Sequence, residues 1–318
     1  MTARPPTKEL PEPMLRRELL AVGFDDRAIA RQVKHGQWIR IRHGAYVDRA
    51  AYSALQQDAK HAVRARAVLK AAKVDAVLSH ASALWEYDAP TWGVDLTDVH
   101  LTRLDKEAGR PEAGVRQHCG TVLPGDVEVR NDVPVTSATR LALDMITVVD
   151  VEVALVIVNH LLHENLTSMA LLNDRALGMA HWPNSLRAHV VLRLADGRCE
   201  SIGESRTLFL LWKQGLPAPQ PQYKVRDRTG RVIARVDFAW PEYGVFLEFD
   251  GRVKYLRDAD AEDEDDVVTK VLREKRREER VRELTGWTCI RITWADLEHP
   301  RRTAQRIRAL LFPATDAA

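Results

Sequence analysis

Three carboxylates inside one predicted β-hairpin constrain this chain more than any other feature. The stretch from Arg235 to Tyr255, RVDFAWPEYGVFLEFDGRVKY, holds two short apolar segments, Val236 to Trp240 and Val245 to Phe249, separated by the turn-forming Pro241 to Gly244. Asp237 falls in the first segment, and Glu248 and Asp250 lie near the end of the second, so the acids converge at one end of a sheet in otherwise apolar surroundings. A carboxylate in low dielectric is costly unless it is paired, protonated or bound to a cation. Hard oxygen ligands at this density suit Mg²⁺ or Mn²⁺.

A chain of 318 residues is long enough for two or three domains. Lys+Arg 47 against Asp+Glu 45 leaves a net charge of +2, which excludes a globally basic coat for nucleic acid but not local basic patches. Cys119, Cys199 and Cys289 are far apart and lack metal-ligand spacing, which fits small partly buried side chains in a reducing cytoplasm. The N-terminal MTARPPTKELPEP has no apolar core of a leader, and no run is long and apolar enough to span a bilayer. The expectation is a soluble cytoplasmic protein with no membrane partner.

Residues 1–50 are expected to form a winged helix-turn-helix. From Met14 an amphipathic helix leads to a turn at Gly23, a second helix starts at Asp25 or Asp26, and alternation follows through Trp38, Ile39, Arg40, Ile41 and Arg42 to a turn at His43-Gly44. Arg27, Arg31, Lys34, Arg40 and Arg42 place positive charge on the second helix and the wing, the elements that such a fold presents to phosphates and base edges. A solvated basic face on a small structural domain is the alternative. The matching residues Asp25 to Lys34, Trp38 and Gly44-Ala45-Tyr46-Val47 resemble the N-terminal domain of the AbiEi-type antitoxin family. That resemblance implies a DNA-binding autorepressor with a cognate toxin or defence partner.

Residues 51–183 read as a small mixed α/β domain that resembles, more weakly, the part following the winged helix in the same antitoxin-like proteins. An Ala-rich helix is expected over 51–73, short strands over 98–102, 114–118 and 126–129, then a helix capped by Ser137 or Thr136 and a buried helix in VEVALVIVNHLLHENL. Ser79, His80 and Ser82 read as a capping serine and a hydrogen-bonded histidine at a helix start, since no partner acid is identifiable. His160 and His163 share a helix face at i, i+3 but show no third ligand, so they read as packing or surface residues.

Residues 184–318 read as a third unit with the order helix, helix, strand, strand, strand, helix, strand and a short terminal helix. The helix acid Glu204, the strand acid Asp237 and the strand acid Glu248, with GES at Gly203 to Ser205, RVDFAWP, EFDG and the closing GWTCIRITWADL, resemble the PD-(D/E)XK nuclease superfamily. The likeness is to the branch similar to very-short-patch-repair endonucleases. It implies a restriction-endonuclease-like α/β sandwich with a mixed sheet, and a Mg²⁺ or Mn²⁺ ion held by Asp237 and Glu248, with Glu204 either a third ligand or supporting those two. Asp250 stands where the simplest pattern has a lysine. Lys254, which follows the strand in GRVKY, is the favoured source of the cation, with Lys275 second and Lys224 also available, or Asp250 would act as an extra ligand or base. The basic helix from Val267 could lay Lys275 and its neighbours on DNA, although its own acids also permit i,i+4 pairing.

The whole reads as an α+β multidomain protein. Its expected function is metal-dependent hydrolysis of DNA phosphodiester bonds, directed by an N-terminal DNA-binding module in phage defence or repair. The alternative is an AbiEi-like repressor carrying a catalytically degenerate nuclease fold. Oligomeric state is not written in the sequence.

Overall fold

The computed structural model describes residues 10–105, 107, 109, 113–179, 182, 184–251 and 279–313. The architecture is α+β with mixed sheets, and the chain divides into two compact units. The first comprises the described residues up to Val153 together with Leu166–Ala188; the second comprises Ala154–Asn165 and the described residues from His189 onward. No helix among the described residues is long and apolar enough to cross a membrane.

In the first unit, β1 (Met14–Leu15), α1 (Arg16–Ala21), α2 (Asp26–Lys34), β2 (Trp38–Arg42) and β3 (Ala45–Asp48) follow in order, and the strands form a three-stranded sheet ordered β1-β3-β2. Gly23 turns the chain at φ +97°, and the Asp25 carboxylate accepts the Ala28 amide at 2.6 Å, satisfying a donor at the start of α2. Ile29 is buried, and the rings of Phe24 and Trp38 meet at 5.2 Å. The Ala-rich segment expected as one helix over 51–73 is instead α3 (Arg49–Ser53) and α4 (Gln57–Ala71). The Asp48 carboxylate starts α3 by accepting the Ala51 amide. The helix ends at Ser53: α3 has no buried side chain, whereas α4 buries side chains from Ala59 to Val68, so packing against the core holds α4 but does not extend back through residues 54–56. Ala67 of α4 packs with Leu15 and Ala45, so small side chains let this helix approach the three-stranded sheet.

The rest of the first unit is a five-stranded sheet ordered β6-β5-β4-β8-β7, built from β4 (Ala76–Leu78), β5 (Val99–Arg103), β6 (Val115–His118), β7 (Val127–Arg130) and β8 (Val133–Thr136). A 3₁₀ segment, His80–Tyr87, leaves the end of β4, and α5 (Ala138–Val148) follows β8. Glu86 in the 3₁₀ segment has a fully buried side chain, held by two bonds from Arg66 at 2.9 and 2.8 Å and one from Asn131 Nδ2 at 2.8 Å. Removing one partner of a buried pair leaves an uncompensated charge. Arg66→Ala is therefore expected to destabilise the protein by about 3–5 kcal/mol in denaturant unfolding. Adding Glu86→Gln to that variant should recover part of the loss; equal stability of Arg66→Ala and wild type would show that the pair contributes nothing.

The second unit contains most of α6 (Val151–His163), then α8 (Leu186–Leu194) in its larger part and α9 (Ile202–Lys213); α7 (Met169–Ala176) belongs to the first unit. Its four-stranded sheet is ordered β12-β11-β10-β9, from β9 (Gln220–Arg226), β10 (Val232–Trp240), β11 (Val245–Asp250) and β12 (Thr288–Thr293). Strands β9, β10 and β11 are antiparallel, whereas β11 and β12 are parallel, so the sheet is mixed as expected. One core gathers Leu208 and Leu211 of α9 with Phe238, Trp240 and Leu247 of the hairpin and Ile307 of the helix Pro300–Leu311.

Candidate functional site

The apolar segments of the hairpin form strands because alternate residues bury on both sides of the sheet. Phe238 pairs with Leu247, Ala239 with Phe246 and Trp240 with Val245, and Gly244 closes the turn at φ +61°. Asp237 and Glu248 both come next beyond the Phe238–Leu247 pair, on the same side of it, so the register brings their carboxylates to one end of the hairpin. There the Asp237 carboxylate accepts the Phe249 amide at 2.8 Å. Glu248 is only 6% exposed and pairs in register with Arg291 of β12. Asp250 ends β11, with a carboxylate oxygen 3.9 Å from Arg291 Nη1.

Glu204 reaches the same end of the sheet from the first turn of α9. The Ser201 hydroxyl accepts the Glu204 amide at 3.1 Å and donates to Glu204 Oε1 at 2.8 Å. Glu204 Oε2 accepts the Glu200 amide at 3.0 Å and Gln222 Nε2 at 2.7 Å. The carboxylate thus binds the two residues just ahead of its own helix as well as facing the sheet. Gln222, which the sequence reading did not single out, lies on β9 between the register pairs Val236–Tyr223 and Phe238–Pro221, opposite Asp237. It adopts φ +51°, a strained backbone for a non-glycine residue, at the point where its side chain meets Glu204, while the β9–β10 register is the same on either side of it. A Cβ on Gly203 would lie 1.9 Å from the Phe249 ring, so only glycine lets α9 rest against the end of β11. Burial, with the nearby charges of Glu204, Asp196 and Asp237, pushes the Cys199 thiol up, which suits an inert side chain.

Lys224 is exposed on β9 opposite Arg235, and Arg235 is paired with Glu200 at 2.7 Å. Lys254 and Lys275 lie outside the described residues, as does most of the basic helix expected from Val267. Its described end, 279–285, is helical and stops at Gly286, which has φ +71°. In the first unit, Arg27, Arg31 and Lys34 are exposed on α2 at spacings that align along one helix face, and Arg40 is exposed on β2 while Arg42 is half-buried.

One arrangement was not legible at all. Among the described residues, one set of three metal-ligand side chains has its donor atoms within 4.8 Å of one another, and it is His80, His100 and His118 rather than the carboxylates. His80 opens the 3₁₀ segment, while His100 on β5 and His118 on β6 are brought together by a parallel register that sets His118 beside Thr102. His100 Nδ1 is 3.0 Å from His118 Nε2, and the His80 and His118 rings stack at 3.6 Å. Burial and the mutual proximity of the rings hold His80 well below the ordinary histidine range, and lower His100 to about 3. His118 falls to about 4, chiefly through burial and then through Arg116. All three are neutral at pH 7. No pattern in sequence announces the cluster, since its members come from separate elements.

No family model matches the chain. Two curated relatives from Mycobacterium tuberculosis, the uncharacterized protein MT2308 of strain CDC 1551 / Oshkosh and the uncharacterized protein Rv2248 of strain ATCC 25618 / H37Rv, are each 35% identical to it over 121 residues. The match covers 38% of this chain and 40% of each relative, so the chain spans less than half the length of the curated proteins it resembles.

Proposed function

We propose that the chain is a metal-dependent endodeoxyribonuclease, with its chemistry at the Asp237–Glu248 end of the β10–β11 hairpin and DNA contact through α2 and β2. The observation that carries this reading is the meeting of Asp237 and Glu248 at one end of a mixed sheet, with Glu204 delivered there by an adjoining helix. On this reading the second unit is a PD-(D/E)XK-type nuclease and residues 1–50 a winged helix-turn-helix. Two buried or half-buried carboxylates fit Mg²⁺, which is ordinarily held by one or two carboxylates and keeps several waters. The ion, held by Asp237 and Glu248, would polarise the scissile phosphate. Glu204, whose oxygens are taken by Ser201, Glu200 and Gln222, is a positioning residue that orients the strand end through Gln222. The Arg291 guanidinium beside Asp250 places positive charge next to this end of the sheet.

The test is nicking or cleavage of supercoiled, linear and single-stranded DNA by the full chain in Mg²⁺ and in Mn²⁺. Wild-type protein as inactive as the Asp237 and Glu248 variants in every condition would overturn the enzymatic reading. Asp250 at the lysine position favours a second reading, an AbiEi-like repressor with a silent nuclease fold, and that result would leave it standing. DNA contact is tested separately. Arg31→Ala with Lys34→Ala is expected to weaken binding in metal-free buffer and to reduce the dependence of log affinity on log salt by about 2. Fluorescence anisotropy across a salt series reads both; unchanged affinity and slope would remove α2 from the interface.

A further inference from the structure

We propose that His80, His100 and His118, with Asp144 as fourth ligand, form a binding site for a transition-metal dication of the zinc class. Imidazole nitrogens are the characteristic donors for such ions, and three histidines with a carboxylate satisfy the usual four-coordinate demand. Its donors all belong to the first unit, and three of the four are imidazole nitrogens rather than carboxylate oxygens.

Two independent observations converge on it. The first is the clustering of the three rings, with all donor atoms within 4.8 Å. The second is an orphaned acceptor: Asp144 Oδ2 is buried without a hydrogen-bond partner and lies 4.0 Å from His80 Nδ1. A buried carboxylate oxygen without a hydrogen-bond donor is costly, and a cation between it and His80 removes the cost. The other oxygen, Oδ1, accepts from Arg140 Nε at 2.7 Å, and Arg140 in turn reaches Asp126 at 3.0 Å. This is the kind of outer support that orients a ligating carboxylate.

The ligands are also held in place. The Ser79 amide donates to the His100 carbonyl at 3.2 Å and the His100 amide donates to the Ser82 hydroxyl at 2.8 Å, which ties the 3₁₀ segment to β5 at the cluster. His61 Nε2 lies 2.9 Å from the same hydroxyl. His80 itself adopts φ +49°, a left-handed conformation that a β-substituted residue rarely takes without a compensating role. Tetrahedral zinc with Zn–N of about 2.0–2.1 Å sets donor atoms roughly 3.3 Å apart. The His100–His118 pair, at 3.0 Å, is already near that separation, and the His80–Asp144 pair must close by less than about 1 Å. The stacked His80 and His118 rings require one of them to turn about its Cβ–Cγ bond, a soft torsion for an imidazole. Bound there, the ion would tie β5, β6, the start of the 3₁₀ segment and α5 together.

The test uses the full chain after dialysis against a chelator. Titration with Co²⁺ is expected to give visible ligand-field absorption saturating at one ion per chain, and Zn²⁺ should displace it. His118 is half-buried, so His118→Gln keeps the volume and the fold and is expected to lose at least about 100-fold in Zn²⁺ affinity, with an unchanged circular dichroism spectrum. Asp144→Asn should shift the cobalt spectrum, and Asp237→Asn should leave it untouched. Absence of stoichiometric cobalt binding, or equal affinity in His118→Gln and wild type, would overturn the site.

Discussion

Asp237→Asn and Glu248→Gln are each expected to lower Mg²⁺-dependent DNA cleavage by about a thousandfold while leaving the protein folded. A metal ion on a transferring phosphoryl group supplies several kcal/mol of transition-state stabilisation, and about 4 kcal/mol corresponds to three powers of ten in rate. The amide variants separate chemistry from structure. Asp237 accepts the Phe249 amide, and an asparagine carbonyl can still accept it. Alanine cannot. Asp237→Ala should therefore lose activity and also about 1–3 kcal/mol of stability, because a backbone donor is left unmatched at the end of β11. Cleavage at near wild-type rate by Asp237→Asn would show that this carboxylate is a strand-end staple and not a metal ligand. Glu204→Gln is a different case, since its oxygens are engaged by protein donors; a smaller loss of rate than at Asp237 is the expected pattern for a positioning residue.

Gly203→Ala is expected to be the most disruptive single methyl in the second unit. The added Cβ would sit 1.9 Å from Phe249 Cε1 and 2.3 Å from two further ring carbons, distances at which either α9 or the aromatic ring must move. Overpacking of this kind costs about 1–3 kcal/mol and sometimes more. The ring has little room, because Phe249 packs edge-on against Trp294 at 5.0 Å, and Trp294 Nε1 donates to the Gly251 carbonyl. Moving α9 instead would pull Glu204 from Gln222. The variant should thus lose stability and cleavage together. Shortening the ring relieves the clash, so Gly203→Ala with Phe249→Leu should be more stable than the sum of the single changes predicts, as a double-mutant cycle in chemical denaturation would measure. Additive effects would mean that the two residues do not meet.

The hairpin was legible because its information is local. Val236 to Trp240 and Val245 to Phe249 are apolar runs broken by Pro241 to Gly244, and the strands, the turn and the placement of Asp237 and Glu248 follow from that pattern. Helix α2 was legible for the same reason, announced by its capping residue Asp25, whereas the cap of α9, Ser201, was seen only in the structure. The continuous helix expected over 51–73 failed because alanine-rich composition favours helix everywhere and marks no break, while in the structure neither α3 nor residues 54–56 bury a side chain that would carry the helix through.

By itself, then, the sequence determined the α+β character, the strands of the β10–β11 hairpin and the gathering of Asp237 and Glu248 at one end of it, since a two-residue or 3.6-residue period is written along the chain. Only the tertiary structure decided which side chains meet. Gln222 reaches Glu204 across 18 residues, and His80, His100 and His118 come from a 3₁₀ segment and two strands. The same is true of Asp144, whose unmatched oxygen faces His80 only because α5 packs there. Such meetings depend on strand register and helix docking, which many weak contacts set together and no local pattern encodes.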